Sequence, residues 1–144
     1  MLLALGCLSL GLLATAGVAK PHGKHFKPKA GRYIGVGAAK IGAHTYEMRI
    51  VFLFKDDTIS DLSVLNSIPG PCSTGSGSVA GPVVAKKFKL VNSGSFPSSR
   101  VIRGRFTGAT AIKGSMSVTY PGPSNCQTGT FKYEWIGKRT GKPT

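Results

Sequence analysis

The sequence predicts a small all-β domain, an antiparallel β-sandwich or a closed barrel of about seven to eight strands held by one disulfide. Three observations predict it. After residue 30 the chain breaks into short runs rich in β-branched and aromatic residues, with apolar side chains at every second position. Those runs are separated by clusters of Gly, Pro, Ser, Asn and Asp. No stretch sustains a helical period.

The chain begins differently. Residues 1–19, MLLALGCLSLGLLATAGVA, are apolar or small and carry no charge, and Lys20 opens a very polar segment. This is the pattern of a secretory signal, with cleavage expected after Ala19 or, less well placed, after Ala16. Nothing basic precedes the apolar run, where a signal usually carries positive charge. An uncleaved membrane anchor is the competing reading, since about 20 apolar residues span a bilayer; Gly6, Gly11 and Gly17 and the small-residue ending weigh against it. Lipid attachment at Cys7 fails on position, because the apolar run continues well past it.

Residues 20–30, KPHGKHFKPKA, hold four lysines and two prolines with Phe26 as the one large apolar side chain, and read as a flexible basic arm. Residues 31–140 form the β-domain and 141–144 a short tail. Arg32–Gly37 is the first strand. Tyr46–Phe54 is the clearest: Tyr46, Met48, Ile50, Phe52 and Phe54 share one face, and Val51 and Leu53 make the other face apolar as well, as in a strand that is central or covered on both sides. Lys55-Asp56-Asp57-Thr58 is a hairpin turn into Ile59–Leu65. Weaker strands are expected at Pro82–Ala85 and Lys87–Val91. Arg100–Phe106 turns Ile102, Gly104 and Phe106 inward and Val101, Arg103 and Arg105 outward. Thr107–Thr110 leads into Ala111–Tyr120, with Ile112, Gly114, Met116, Val118 and Tyr120 inward. Inward glycines at 104 and 114 mark places where a backbone or a large ring comes close. Thr130–Ile136 carries Phe131, Tyr133 and Trp135 on one face.

Loss of the signal leaves Cys72 and Cys126, each in a Pro/Gly/Ser-rich stretch, and an oxidising compartment pairs them. Closing a loop of about 54 residues removes on the order of 4 kcal/mol of unfolded-state entropy. Two buried free thiols are the alternative.

Charge is the strongest functional signal. Nineteen Lys and Arg face five acids, Glu47, Asp56, Asp57, Asp61 and Glu134, so the surface is positive nearly everywhere and attracts polyanions without choosing among them. Lys20, Lys24, Lys27, Lys29, Lys86, Lys87, Lys89, Arg103 and Arg105 are the candidate polyanion-binding residues. For an exported protein the partners are anionic cell-surface polymers or lipids rather than a specific nucleic acid, and a monomer is expected. High charge that only confers solubility is the bland alternative.

Catalytic candidates are few. His22 and His25 lie in the arm and His44 in a turn; Asp56 and Asp57 are turn residues, and Asp61 and Glu134 fall on outward or edge positions. A cross-strand acid pair, as in a glycosidase, is the remaining route to a hydrolase. No nucleophile elbow, phosphate loop or zinc spacing is present, no cofactor is implied, and His22-Gly23-Lys24-His25 is a poor metal site among lysines. Tyr33, Tyr120 and Trp135 are candidate platforms for a glycan or small ligand, with Tyr33 and Tyr120 the better placed for exposure and Trp135, beside Phe131 and Tyr133, more suited to the core.

Gly31-Arg32-Tyr33 with Trp135 and Arg139 resembles the up-and-down barrels of the lipocalin and avidin kind, which place a Gly-x-aromatic on the first strand and close with a late Arg or aromatic. That resemblance implies a fold and no ligand. A wider one covers most of the mature chain: Gly31 to Gly35, Cys72, Gly104-x-Phe106, Ala111-x-x-Gly114, Cys126 to Gly129, Trp135 and Arg139 are similar in order to uncharacterised exported domains of actinobacteria. It implies export and a β fold without an assigned activity. The leading expectation is a secreted, non-enzymatic binding or structural module at the cell envelope; a pocketed β-domain for a small apolar ligand or glycan comes second, and an envelope hydrolase third.

Overall fold

The computed structural model describes residues 25–69, 72–93, 99–120 and 127–142. Eight strands follow one another: β1 (Gly31–Ile41), β2 (His44–Lys55), β3 (Thr58–Ile68), β4 (Cys72–Pro82), β5 (Lys87–Ser93), β6 (Ser99–Phe106), β7 (Ala111–Tyr120) and β8 (Gly129–Gly141). They form one antiparallel sheet in the order β4-β3-β2-β1-β8-β7-β6-β5. Apart from β4 and β5, which form the two edges, each strand pairs with its neighbour in sequence, and β1 pairs with β8, so the sheet curls into a nearly closed up-and-down barrel rather than a two-layer sandwich. The seam lies between β4 and β5. It is pinned at one end, where Val84 and Lys87 exchange backbone hydrogen bonds of 2.8 and 3.0 Å, and Gly81 lies against Leu90 just beyond.

Local chemistry explains the turns. Lys55 pairs with Thr58 across Asp56 and Asp57, at φ 50° and 52°, the left-handed pair that matches strand twist in a two-residue hairpin. Ala85 and Lys86 adopt the same conformation, at φ 49° and 64°, against their intrinsic preference. Extra residues in β3, around Asp61 at φ 49°, in β4 opposite Leu62–Val64 and in β8 opposite Arg32–Tyr33 shift the register and bend the strands toward closure.

Period-two alternation sends one face of every well-described strand into the barrel. Met48, Ile50, Phe52 and Phe54 of β2, Ile102 and Phe106 of β6, Ile112, Met116 and Val118 of β7, and Phe131, Tyr133 and Trp135 of β8 are all buried. At one end Tyr33 stacks on Phe52, ring centroids 5.3 Å apart, and meets Phe106 edge-on at 5.4 Å. Gly104 faces the Phe88 ring and Gly114 faces the Trp135 indole, as the inward glycines required: a Cβ on either would stand within 2.4 Å of a ring carbon.

Four expectations need correction. The stretch Pro82–Ala85 is not a strand; the strand is β4, whose sequence CSTGSGSVAGP has neither β-branched density nor alternation and is ordered by its ladder to β3. Pro82 sits at its end, where a missing N–H does least harm. Of the two readings of β2 the central one holds and the covered one does not: β2 lies between β1 and β3, and Val51 and Leu53 are half-buried on the outer surface of the sheet, with no second layer over them among the described residues. The described part of the basic arm is docked: Lys29 N donates to Ala109 O (2.8 Å), Tyr33 OH to Lys29 O (2.7 Å) and Arg139 Nε to Ala30 O (2.8 Å), while Phe26 packs on the core rim. Tyr33, Tyr120 and Trp135 are buried, at 0%, 8% and 2% exposure, so none offers an outward ring for stacking a sugar. Their inward parity places them in the barrel wall, where large rings gain most from burial.

Candidate functional site

The outward side chains of β5, β6, β7, β8 and β1 build a groove of about 960 Å³. Its floor is one register row: Phe88 pairs with Gly104, Gly104 with Gly114, Gly114 with Trp135 and Trp135 with Gly37. Gly104 and Gly114, on the adjacent strands β6 and β7, remove the inward Cβ and let the sheet settle onto the Phe88 and Trp135 rings beneath it. On either side of that floor stand two outward rows. One runs Lys87, Arg105, Lys113, Ile136 and Val36; the other runs Lys89, Arg103, Ser115, Glu134 and Ala38. With strands about 4.8 Å apart, five strands make a groove roughly 19 Å long.

The charges are unevenly placed along it. Lys87, Lys89, Arg103, Arg105 and Lys113 crowd the β5–β6–β7 end, all exposed, while Ile136 (68% exposed) and Val36 (58%) lie at the β8–β1 end. Glu134 is the one acid among the residues lining the groove. Neighbouring cations on adjacent strands repel one another unless an anion sits between them. The arrangement costs folding free energy and favours capture of negative charge.

Sequence reasoning named four of these five cations and missed Lys113. The signal was present, since Lys113 alternates outward next to the inward Ile112 and Gly114 of β7. The remaining predicted polyanion residues separate from the groove. Lys27 and Lys29 are exposed on the docked segment at the barrel end; Lys86 turns away to lay its ammonium over the Phe26 ring, 4.0 Å from the centroid. Lys20 and Lys24 lie outside the described residues. So does Cys126, while Cys72 opens β4.

Other candidates disperse. Asp61 on β3 and Glu134 on β8 have β2 and β1 between them in the sheet, three strand spacings or about 14 Å, beyond the separation of a glycosidase pair. His44 is exposed beside the Tyr46 ring. Among the described residues no group of three His, Cys, Asp or Glu side chains is placed to hold a metal ion. No helix among the described residues is long and apolar enough to cross a membrane.

Comparison with protein-family models, with curated proteins and with solved structures finds no match to this chain. The groove's own geometry therefore carries the functional argument.

Proposed function

We propose that this is an exported, non-enzymatic binding module of the cell envelope, whose basic barrel takes anionic polymers or lipids through the groove on β5–β8 and β1. The observation that carries the reading is the gathering of Lys87, Lys89, Arg103, Arg105 and Lys113, from three strands, around one concave surface with a single acid at its far side. Export rests on the apolar run of residues 1–19 and its small-residue ending. In the exported chain Cys72 and Cys126 form the one disulfide. Its support is local: Gln127 N donates to Pro69 O at 2.9 Å, so the residue after Cys126 lies against the turn that precedes Cys72.

The test is retention of the mature protein, residues 20–144, on purified cell wall and on anionic vesicles across a salt series. Wild type is retained at low salt and released as salt rises, because exposed charges are screened beyond about 10 Å at 0.1 M. Arg103→Gln/Arg105→Gln binds several-fold more weakly, whereas Lys27→Gln/Lys29→Gln, away from the groove, changes retention little. Equal losses from the two double variants would reduce the groove to diffuse charge. Failure of wild type to bind either surface at low salt would end the proposal.

A further inference from the structure

Arg100 lies on the inward face of β6, in register with Val118 of β7, and is 1% exposed. It stands at the end of the barrel where β3 finishes and β8 begins. Asn66 and Tyr133 share that end: Asn66 Nδ2 donates to Tyr133 OH at 3.2 Å, and Tyr133 OH donates to Ser67 O. Arg100 takes no part in that chain of bonds. Its Nε and Nη2 have no hydrogen-bond partner among the described residues.

These two atoms are not an arbitrary pair. Their N–H bonds project side by side from one edge of the planar guanidinium, the edge that receives both oxygens of a carboxylate or a phosphate. Nor does the group escape by losing its proton, since arginine stays charged in proteins. Burial does lower its pKa, with the Tyr133 hydroxyl acting weakly the other way. A buried charge without a counter-charge is strongly unfavourable.

Among the described residues no acidic side chain supplies that counter-charge. Glu47, Asp56, Asp57, Asp61 and Glu134 are the chain's only acidic side chains, and every one is exposed. Asp56 and Asp57 are in the turn at the opposite end of the barrel. Burial pushes the Tyr133 hydroxyl up, keeping it neutral.

We infer that the barrel end at Arg100 is a receptor for a small oxyanion, a carboxylate, phosphate or sulfate, held bidentate by Nε and Nη2. This site is separate from the groove. Arg103 and Arg105 on the same strand point outward, and Arg100 points inward, by strand parity.

Thermal unfolding of the mature protein in phosphate, acetate or chloride, at matched pH and ionic strength, tests the inference. Wild type melts several degrees higher in an oxyanion than in chloride, and the gain grows logarithmically with oxyanion concentration above the dissociation constant. Acetate alone acting assigns a carboxylate ligand, and phosphate alone a phosphoryl group. Arg100→Met, which fills the space without the charge, loses the difference between salts. Lys27→Gln/Lys29→Gln, on the docked segment away from both the groove and Arg100, keeps it. A second readout needs no variant: the Arg100 Nε–H resonance moves on titration with phosphate or acetate and exchanges with water more slowly. Equal melting in all three salts with an unmoved Nε–H overturns the inference, and so does an oxyanion gain that survives in Arg100→Met.

Discussion

Replacing Gly114 by alanine adds one carbon at the point where the groove floor rests on the barrel core. That Cβ would stand 2.0 Å from the carbonyl oxygen of Arg103 and 2.4 Å from Cζ2 of Trp135, where ordinary contact starts at 3.4 Å. Neither neighbour is a flexible chain end. The carbonyl belongs to β6, paired to β7 over its whole length, and the indole is wedged against Gly35 on its other side. Overpacking a core typically costs about 1–3 kcal/mol, and with both neighbours rigid the expected loss is about 3 kcal/mol. For a domain whose total stability is about 5–15 kcal/mol, a urea m-value of about 1.5 kcal/mol/M turns that loss into a midpoint lower by about 2 M. Trp135 is the only tryptophan, so its emission follows both the unfolding and any displacement of the ring in the folded state. Gly141→Ala is the control, because a Cβ there meets nothing within 4 Å. Should Gly114→Ala unfold within about 0.3 M of wild type with unchanged emission, the close packing of floor on indole would be refuted.

Other consequences follow from the same geometry. Tyr33→Phe removes the hydroxyl that bonds Lys29 O and Ala109 O, costs about 1 kcal/mol, and speeds amide exchange at Lys29. Ala85→Gly relieves a left-handed alanine at φ 49°; after the glycine's extra chain entropy it raises stability by about 0.5–1 kcal/mol, read as a higher melting temperature. Burial raises the pKa of Tyr33 and Tyr133 above the ordinary tyrosine value, so the unfolded chain loses its tyrosine protons first. Stability from this source is constant below about pH 10 and falls as pH rises beyond it; melting curves from about pH 8 to 11 show the fall, and Tyr33→Phe flattens it.

How far the sequence could be read depended on what each segment's side chains were asked to do. In β2, β6, β7 and β8 a buried face demands apolar residues at every second position, and those faces are legible directly. In β4 the pairing is a matter of backbone, and a Gly/Ser run with no buried alternation gives no signal of its own. Residues 20–30 looked too polar to order themselves; of these, residues 29–30 are held by acceptors and donors that the barrel presents, Ala109 O, the Tyr33 hydroxyl and Arg139 Nε. The cationic groove was half visible. Outward parity marked Arg103, Arg105 and, unread, Lys113, but their neighbourhood is fixed by register between strands, which no single strand encodes. Arg100 had the same parity as Ile102 and was inward by arithmetic. A charged residue at the start of a strand is ordinarily taken as the fringe of the sheet, and that habit hid the site.

Up-and-down barrels of eight strands are wide enough either to be filled by side chains or to hold one small molecule. In this chain the middle is filled. Phe52 meets Tyr33, Phe88 and Trp135 with ring centroids between 5.3 and 6.4 Å, and Phe54 and Phe106 tilt together at 4.8 Å at one end. Those rings are also why the glycines of the groove are glycines: an indole laid flat beneath the sheet leaves no room for a Cβ above it. Filling the core and hollowing the outer surface are thus one event. The rings that pack the middle of the barrel also set the floor of the exterior groove, and they leave the Arg100 end, where ring packing gives way to a guanidinium without a partner for Nε and Nη2 among the described residues, as the place inside the barrel that calls for an anion.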